Sequence, residues 1–306
     1  MENGKEIRLT PSRRRVHGWM SAAGIVGLFS LLVDRLAATP LGWLAALAGA
    51  VVGLCFPQTW PDNKVGRWLG RVRWLWSLPV MAVSLRYCAE GVTEYSYPGW
   101  NFVVPAALGL LLSWRGSCLD AKALERYGKL LMWMVSVIVL ILVAFTIYMV
   151  RPERLLPRNW GDAKHALWIF LLSAGAVSFV LPAEGRLPGL VSAGLGASMV
   201  AMTTGAEGVA LVRLLKHPFL TICNAGAYEM RLGVLASALW VLGETAILTR
   251  ILTDSPGGKW GKGISAVIVF LLVCFMPITE GWKLILLLVG AAMGYLGLIM
   301  GKCTSV

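Results

Sequence analysis

The feature that most constrains this chain is a succession of about ten apolar runs, each of roughly the 20 residues that an α-helix needs to cross the hydrocarbon core of a bilayer. Hydrophobic residues make up 57% of the 306 positions and charged residues 14%, whereas a soluble domain carries about 25% charged residues. So few charges cannot cover a water-facing surface. The sequence therefore predicts an all-α integral membrane protein.

Windows bounded by proline, glycine and charged residues set the approximate limits of these runs. They predict spans at 17–36, 39–58, 73–92, 101–115, 128–149, 166–183, 187–212, 232–252, 263–279 and 282–300. The remaining segments are too short for a separate soluble domain. We therefore expect a single transmembrane domain over residues 1–306.

The longest polar connection, from Arg151 to His165, divides the predicted spans into five and five. An odd number of spans in each half gives the two halves opposite orientations in the membrane, as in transporters built from inverted repeats. The spacing thus predicts one five-helix half over 1–157 and a second over 158–306.

The distribution of basic residues predicts the orientation of the chain. With a cytoplasmic N-terminus, 18 of the 28 Lys and Arg residues lie on the inner side, nine on the outer side, and Arg86 inside the third span. This excess favours cytoplasmic N- and C-termini. The net charge of +12 is scattered over short connections, so we expect contact with a lipid bilayer and not with nucleic acid.

Small and hydroxylic residues interrupt the first and sixth spans at corresponding positions of the two halves. They are Gly24 and Gly27 in the first span and Ser173, Gly175 and Ser178 in the sixth. Unwound helices at matched positions mark midplane ligand sites in inverted-repeat transporters. Small residues equally allow close helix packing, so a ligand site and a packing contact are both open interpretations.

Four ionisable residues fall inside or at the end of predicted spans, where a charge at the bilayer centre costs about 2.5 to 3.5 kcal/mol or more. Arg86 and Glu90 are four residues apart on one helical face, which suits either a structural ion pair or part of a ligand site. Glu207 and Glu244 have no obvious local partner. Glu244, midway through the eighth span, is the best candidate for carrying a proton.

The pattern of reactive residues argues against an enzyme. The three histidines lie at span ends, and the six cysteines form no C-x-x-C pair. The acidic residues are scattered instead of clustered near one interface. We therefore expect no catalytic residues, no metal and no cofactor.

Several short motifs occur in an order and spacing that is typical of one family. They are Leu85-Arg86 with Glu90, Pro105, Gly116 with Glu125-Arg126, Leu155-Leu156-Pro157, Lys216-His217-Pro218, Glu229-Met230-Arg231-Leu232 and Leu239-Trp240. In this arrangement the chain resembles the B subunit of spore germinant receptors (GerAB type), endospore germination permeases of the amino acid-polyamine-organocation transporter superfamily.

The resemblance implies a LeuT-like core of two inverted five-helix halves, with broken first and sixth helices around a midplane pocket. It further implies a sensor or permease-like subunit that binds a small germinant, most simply an amino acid. Such a subunit works in the spore inner membrane with other germinant receptor subunits. Two alternatives remain: a proton-coupled amino acid transporter that uses Glu244 or Glu207, and a ligand-free assembly subunit of a membrane complex.

Overall fold

The structure is a computed structural model that describes residues 11–55, 64–93, 101–157, 160–180, 186–206, 227–256 and 258–276, with Ala292 and Tyr295. Every regular element in these ranges is helical. The helices are α1 (Pro11–Leu31), α2 (Val33–Leu36), α3 (Gly42–Cys55), α4 (Lys64–Gly91), α5 (Val103–Ser117), α6 (Ala121–Thr146), α7 (Trp160–Val180), α8 (Arg186–Gly205), α9 (Ala227–Thr253) and α10 (Gly258–Phe275). Two 3-10 turns, Ile147–Met149 and Pro152–Arg154, follow α6.

The first nine predicted spans each coincide with a helix, the first of them with α1 and α2 together. The largest difference is at α4, which begins at Lys64, nine residues before the predicted limit at 73, because the helix continues through a basic segment that hydropathy excludes. The tenth predicted span, 282–300, lies outside the described residues apart from Ala292 and Tyr295. The hydroxyl of Tyr295 donates a hydrogen bond of 2.9 Å to the carbonyl oxygen of Leu171 in α7.

Several helices meet the requirements of a membrane span by length and composition. Ala121–Met149, Leu187–Gly205, Arg231–Thr253 and Gly258–Phe275 are long and apolar enough by themselves, and Gly18–Ser30 and Gly42–Leu54 are shorter apolar helices. The chain is a multi-pass membrane protein. The count of ten spans and the cytoplasmic position of both termini stay predictions.

The long helices form two groups that follow from their contacts. In the first group α3 packs along α7 and α8, and α1 packs against α8. In the second group α5 packs against α9 and α10, and α4 packs against α10, α9 and α5. The contact between α1 and α9 joins the two groups, and α6 lies against α1, α8 and α9. The first group thus consists of α1, α3, α7 and α8, and the second group consists of α4, α5, α9 and α10.

Helix α1 occupies the centre of the molecule, since residues 20–30 are buried without exception. A helix that is apolar on all sides is suited to such a position. Its neighbours approach it at glycines: a Cβ atom on Gly128 of α6 would lie 3.0 Å from the backbone nitrogen of Met20, and one on Gly196 of α8 would lie 2.5 Å from the ring of Phe29. Small residues at helix crossings in a membrane allow the backbones to approach this closely.

The broken first helix that the resemblance implies is not found at Gly24 and Gly27. Helix α1 runs without interruption from Pro11 to Leu31, and the chain leaves the helix only at Leu32. Helix α7 is likewise continuous from Trp160 to Val180, through Ser173, Gly175 and Ser178. The physical reason at Gly27 is close packing, because Gly243 of α9 occupies the space that a side chain would take.

Candidate functional site

The most unusual side chain in the described part of the chain is the carboxyl group of Glu244. It lies on α9, two residues from the midpoint of the span Arg231–Thr253, and is 2% exposed. Its Oε2 atom accepts a hydrogen bond from the hydroxyl of Ser84 on α4. Its Oε1 atom is buried and has no hydrogen-bond partner among the described residues. An acidic group at this depth is costly, so it is a functional candidate by default.

The packing of α4 against α9 fixes Ser84 opposite Glu244. One turn further along α4, Cys88 packs against Trp240, which lies one turn before Glu244 on α9. The ring centroids of Tyr87 and Trp240 are 5.4 Å apart. These two pairs show that α4 and α9 run antiparallel at this level. The aromatic contact therefore holds the serine hydroxyl at the height of the carboxyl group.

Glu244 also adjoins the contact between the two groups of helices. Its neighbour Gly243 faces Gly27 of α1 so closely that a Cβ atom on Gly27 would lie 2.5 Å from the Cα atom of Gly243. Glu244 thus follows the residue at which α9 contacts α1, and its carboxyl group contacts α4.

A small cavity of about 10 Å³ lies beside Trp240, between α9, α8, the end of α1 and α2. It is lined by Ser30, Val33, Met199, Ala236, Leu239 and Trp240. This volume is about the minimum that holds one water molecule. The hydroxyl of Ser30 donates to the carbonyl oxygen of Gly27 at 2.7 Å, which places a polar group between the cavity and the Gly27–Gly243 contact.

The predicted pair of Arg86 and Glu90 is present, with 2.8 Å between Arg86 Nε and Glu90 Oε1. The same guanidinium donates from Nη1 to the carbonyl oxygens of Val273 at 3.2 Å and Met276 at 2.7 Å. It also lies 4.7 Å from the ring centroid of Phe102. Arg86 therefore satisfies carbonyl groups at the carboxyl end of α10 and connects that end to α4.

A buried cation lies near the carboxyl end of α9. Arg250 is 3% exposed and forms an ion pair with Asp254, four residues further on. It is six residues from Glu244, about 9 Å along the helix axis. A spacing of four residues in the sequence is typical of such a pair. Asp254 lies beyond the predicted span 232–252, so the pair was not predicted.

The five predicted ligand residues lie in two different packing environments. Gly24 and Gly27 are buried on α1, where Gly27 faces α9. Ser173 on α7 donates its hydroxyl to the carbonyl oxygen of Ala46 on α3 at 2.8 Å, and Gly175 is buried beside it. The side chain of Ser178 lies outside the described residues, as does Glu207. The described contacts do not bring the α1 and α7 sets together.

Ser84 is the residue that sequence reasoning missed. It is 160 positions from Glu244 along the chain, and a single serine in an apolar window is common in membrane helices. The weak signal was the spacing of Ser84 and Cys88, four residues apart on α4, which places two polarisable side chains on one helical face.

Comparison with known proteins identifies the fold and not a family. No family model matches the chain, and the search of curated proteins returns no match. Among solved structures, the chain is similar to the crystal structure of MhsT in complex with L-phenylalanine, with 15% identity, a TM-score of 0.57, and coverage of 97% of this chain and 89% of that chain. At this identity the similarity shows the fold, which is the LeuT-like fold predicted from the sequence.

Proposed function

We propose that this chain is a membrane transporter that binds an amino acid and moves it together with a proton carried by Glu244. The observation on which the proposal depends is the half-satisfied carboxyl group at mid-span, with Oε2 held by Ser84 and Oε1 without a partner among the described residues. The fold shared with a structure that holds L-phenylalanine supports an amino acid as the solute.

The partner of Glu244 suits a group that changes its protonation state. A serine hydroxyl donates one hydrogen bond and accepts others, so Ser84 can donate to the ionised carboxylate and accept from the protonated acid. An arginine or lysine partner would instead hold the carboxylate permanently charged. The contact with Ser84 therefore permits both states with little rearrangement of α4 or α9.

The position of Glu244 links protonation to the relative placement of the two groups of helices. Transporters with inverted repeats alternate access by moving one set of helices against the other around a fixed site. In this chain the two groups meet where Gly27 touches Gly243, directly beside Glu244. A proton on the carboxyl group removes the cost of a buried charge during that movement.

The proposal is tested by uptake into proteoliposomes of the purified full-length chain, with labelled L-phenylalanine and a panel of other amino acids. An imposed pH gradient, acidic outside, is expected to drive accumulation in the wild type. Glu244→Gln keeps the shape of the side chain but cannot release a proton, so accumulation falls to the level measured without a gradient, while solute exchange at equal pH continues.

The matched control is Glu90→Gln, which removes an acid from α4 that pairs with Arg86 and is 38% exposed. This variant is expected to keep its gradient-driven accumulation. Uptake by the wild type that ignores the pH gradient, or gradient-driven uptake that survives Glu244→Gln, would contradict the proton-carrying role.

A sensing role is the second candidate, and the motif resemblance to germinant receptor subunits is the observation that favours it. Such a subunit binds a germinant and signals to partner subunits without net transport. A ligand stabilises the state that binds it, so its binding raises the melting temperature. A selective thermal shift without uptake supports the sensor. The absence of both a shift and uptake supports the assembly subunit. The germination role itself has no support from the comparisons.

A further inference from the structure

An apolar groove of about 370 Å³ runs along the outside of the second group, between α5 and α10. It is lined by Ala107, Leu110, Leu111, Trp114, Gly263, Ala266, Val267 and Phe270. Leu111 and Val267 are more than half exposed, at 55% and 58%. The groove is thus open to the surroundings of the protein, which at this depth are the acyl chains of the bilayer.

The dimensions of the groove match one leaflet. Its lining on α5 extends from Ala107 to Trp114, a rise of about 10 Å. One leaflet contributes roughly 15 Å of the hydrocarbon core. The groove therefore covers the greater part of the length over which a single phospholipid chain lies against the protein.

One end of the groove is basic. Trp114 lies close to Gly263, 3.7 Å from the position of a Cβ atom there, so α5 and α10 run antiparallel and the carboxyl end of α5 meets the amino end of α10. Lys262 donates a hydrogen bond from Nζ to the carbonyl oxygen of Ser117, which joins these two ends. Arg115 and Lys259 are exposed at the same end.

The acidic residues near this end of the groove do not cancel its positive charge. Asp254 is the ion-pair partner of Arg250, and Asp120 is exposed on the connection to α6. Trp260, next to Lys259, is 87% exposed, and tryptophan is enriched at the level of lipid headgroups. The apolar groove thus ends at the interface among positive charges and an amphipathic ring.

We infer that the groove between α5 and α10 is a binding site for an anionic phospholipid, with one acyl chain along the groove and the phosphate near Arg115, Lys259 and Lys262. Basic pockets between membrane helices bind anionic headgroups in this way. The predicted orientation places this end on the cytoplasmic side, where anionic lipids attract basic segments. The inference is independent of the proposed transport of a solute.

The test compares two lipids with identical acyl chains on the delipidated full-length protein in detergent. Phosphatidylglycerol and phosphatidylcholine are titrated in turn, and the bound lipid is counted by mass spectrometry of the intact complex. The wild type is expected to retain phosphatidylglycerol in preference. Because each Lys or Arg near an anionic surface contributes about 1 kcal/mol, or about fivefold in affinity, the double variant Arg115→Gln, Lys259→Gln is expected to bind it about thirtyfold more weakly.

A matched double variant controls for loss of charge elsewhere. Lys164→Gln with Arg231→Gln removes two exposed basic residues from α7 and α9, and it is expected to bind phosphatidylglycerol like the wild type. Gly263→Leu fills the groove, since its Cβ would meet only Trp114 at an ordinary contact distance. This variant is expected to fold normally and to lose the bound lipid.

Three results would overturn the inference. The first is equal retention of the two lipids by the wild type. The second is an unchanged preference in the Arg115 and Lys259 variant. The third is a change in oligomeric mass of Gly263→Leu with lipid binding preserved, which would assign the groove to a second copy of the chain.

Discussion

The contact between α1 and α9 and the contact between α4 and α10 join membrane helices by opposite means. At the first, two glycines face each other, and the backbones approach so closely that a methyl group on Gly27 would lie 2.5 Å from the Cα atom of Gly243. At the second, Arg86 reaches from α4 to the carbonyl oxygens of Val273 and Met276 and is held by Glu90.

The two contacts are sensitive to different kinds of substitution. A contact between bare backbones gains its energy from dispersion and from the absence of side chains, so it fails when an atom is added. A contact through a charged side chain gains its energy from hydrogen bonds to carbonyl groups that have no partner within their own helix, so it fails when an atom is removed. The first kind joins the two groups of helices, and the second fixes one helix within a group.

The largest effect is expected for Gly27→Ala or Gly243→Ala. Each adds a methyl group where the facing backbone cannot move without separating α1 from α9, and overpacking of this kind costs about 3 kcal/mol. The measurement is the free energy of unfolding in mixed micelles of increasing sodium dodecyl sulfate. We expect both variants to be among the least stable single substitutions.

The control for this prediction is Gly194→Ala on α8, where a Cβ atom would meet nothing within 4 Å. Alanine is a better helix former than glycine by about 0.5 to 1 kcal/mol, so this variant should be as stable as the wild type or slightly more stable. Similar stability losses at Gly194 and Gly27 would show that the α1–α9 contact has no special role.

An intermediate effect is expected for Arg86→Met, which keeps the length and apolar packing of the side chain but removes its donors. Hydrogen bonds to a charged group contribute about 1.5 to 3 kcal/mol. Arg86 and Glu90 are partly exposed, so water replaces some of these bonds in the variant. We therefore expect the free energy of unfolding to fall by about 2 kcal/mol. Faster proteolysis beyond Phe275 should accompany it, since Arg86 fixes that end of α10.

The pair of Lys129 and Glu125 offers a comparison for Arg86. Its atoms are 2.7 Å apart at the same spacing of four residues, but Lys129 is 51% exposed. Pairs of this kind contribute about 0.3 to 0.5 kcal/mol. If Lys129→Met destabilises the protein as much as Arg86→Met, the carbonyl groups of α10 are not the source of the effect.

The sequence predicted what depends on local composition and missed what depends on distant partners. In the described ranges, nine helical segments followed from apolar length, and the Arg86–Glu90 pair followed from a spacing of four residues. The bond from Ser84 to Glu244 joins positions 160 apart, and no local pattern contains it.

The glycines of α1 show why two interpretations of one sequence pattern stayed open. Unwinding and close packing both require small residues, so the sequence pattern is the same for the two outcomes. What distinguishes them is the facing glycine, Gly243, which comes from the opposite half of the chain. The role of Gly27 as a contact between helices became evident only when its partner was known.

The smallest effect is expected for Ser173→Ala, which tests whether a polar bond between two tightly packed helices resembles the Arg86 contact or the glycine contact. Ser173 donates to the carbonyl oxygen of Ala46 at 2.8 Å, and nearby a Cβ atom on Gly49 would lie 2.4 Å from the carbonyl oxygen of Phe170. The backbones of α3 and α7 are already in close contact here. Loss of the hydroxyl should therefore lower the free energy of unfolding by only about 0.6 kcal/mol, the average for interhelical hydrogen bonds in a membrane. Gly49→Ala in the same contact should cost several times more. Equal losses in these two variants would mean that the hydrogen bond, and not the close approach of the backbones, determines how α7 lies on α3.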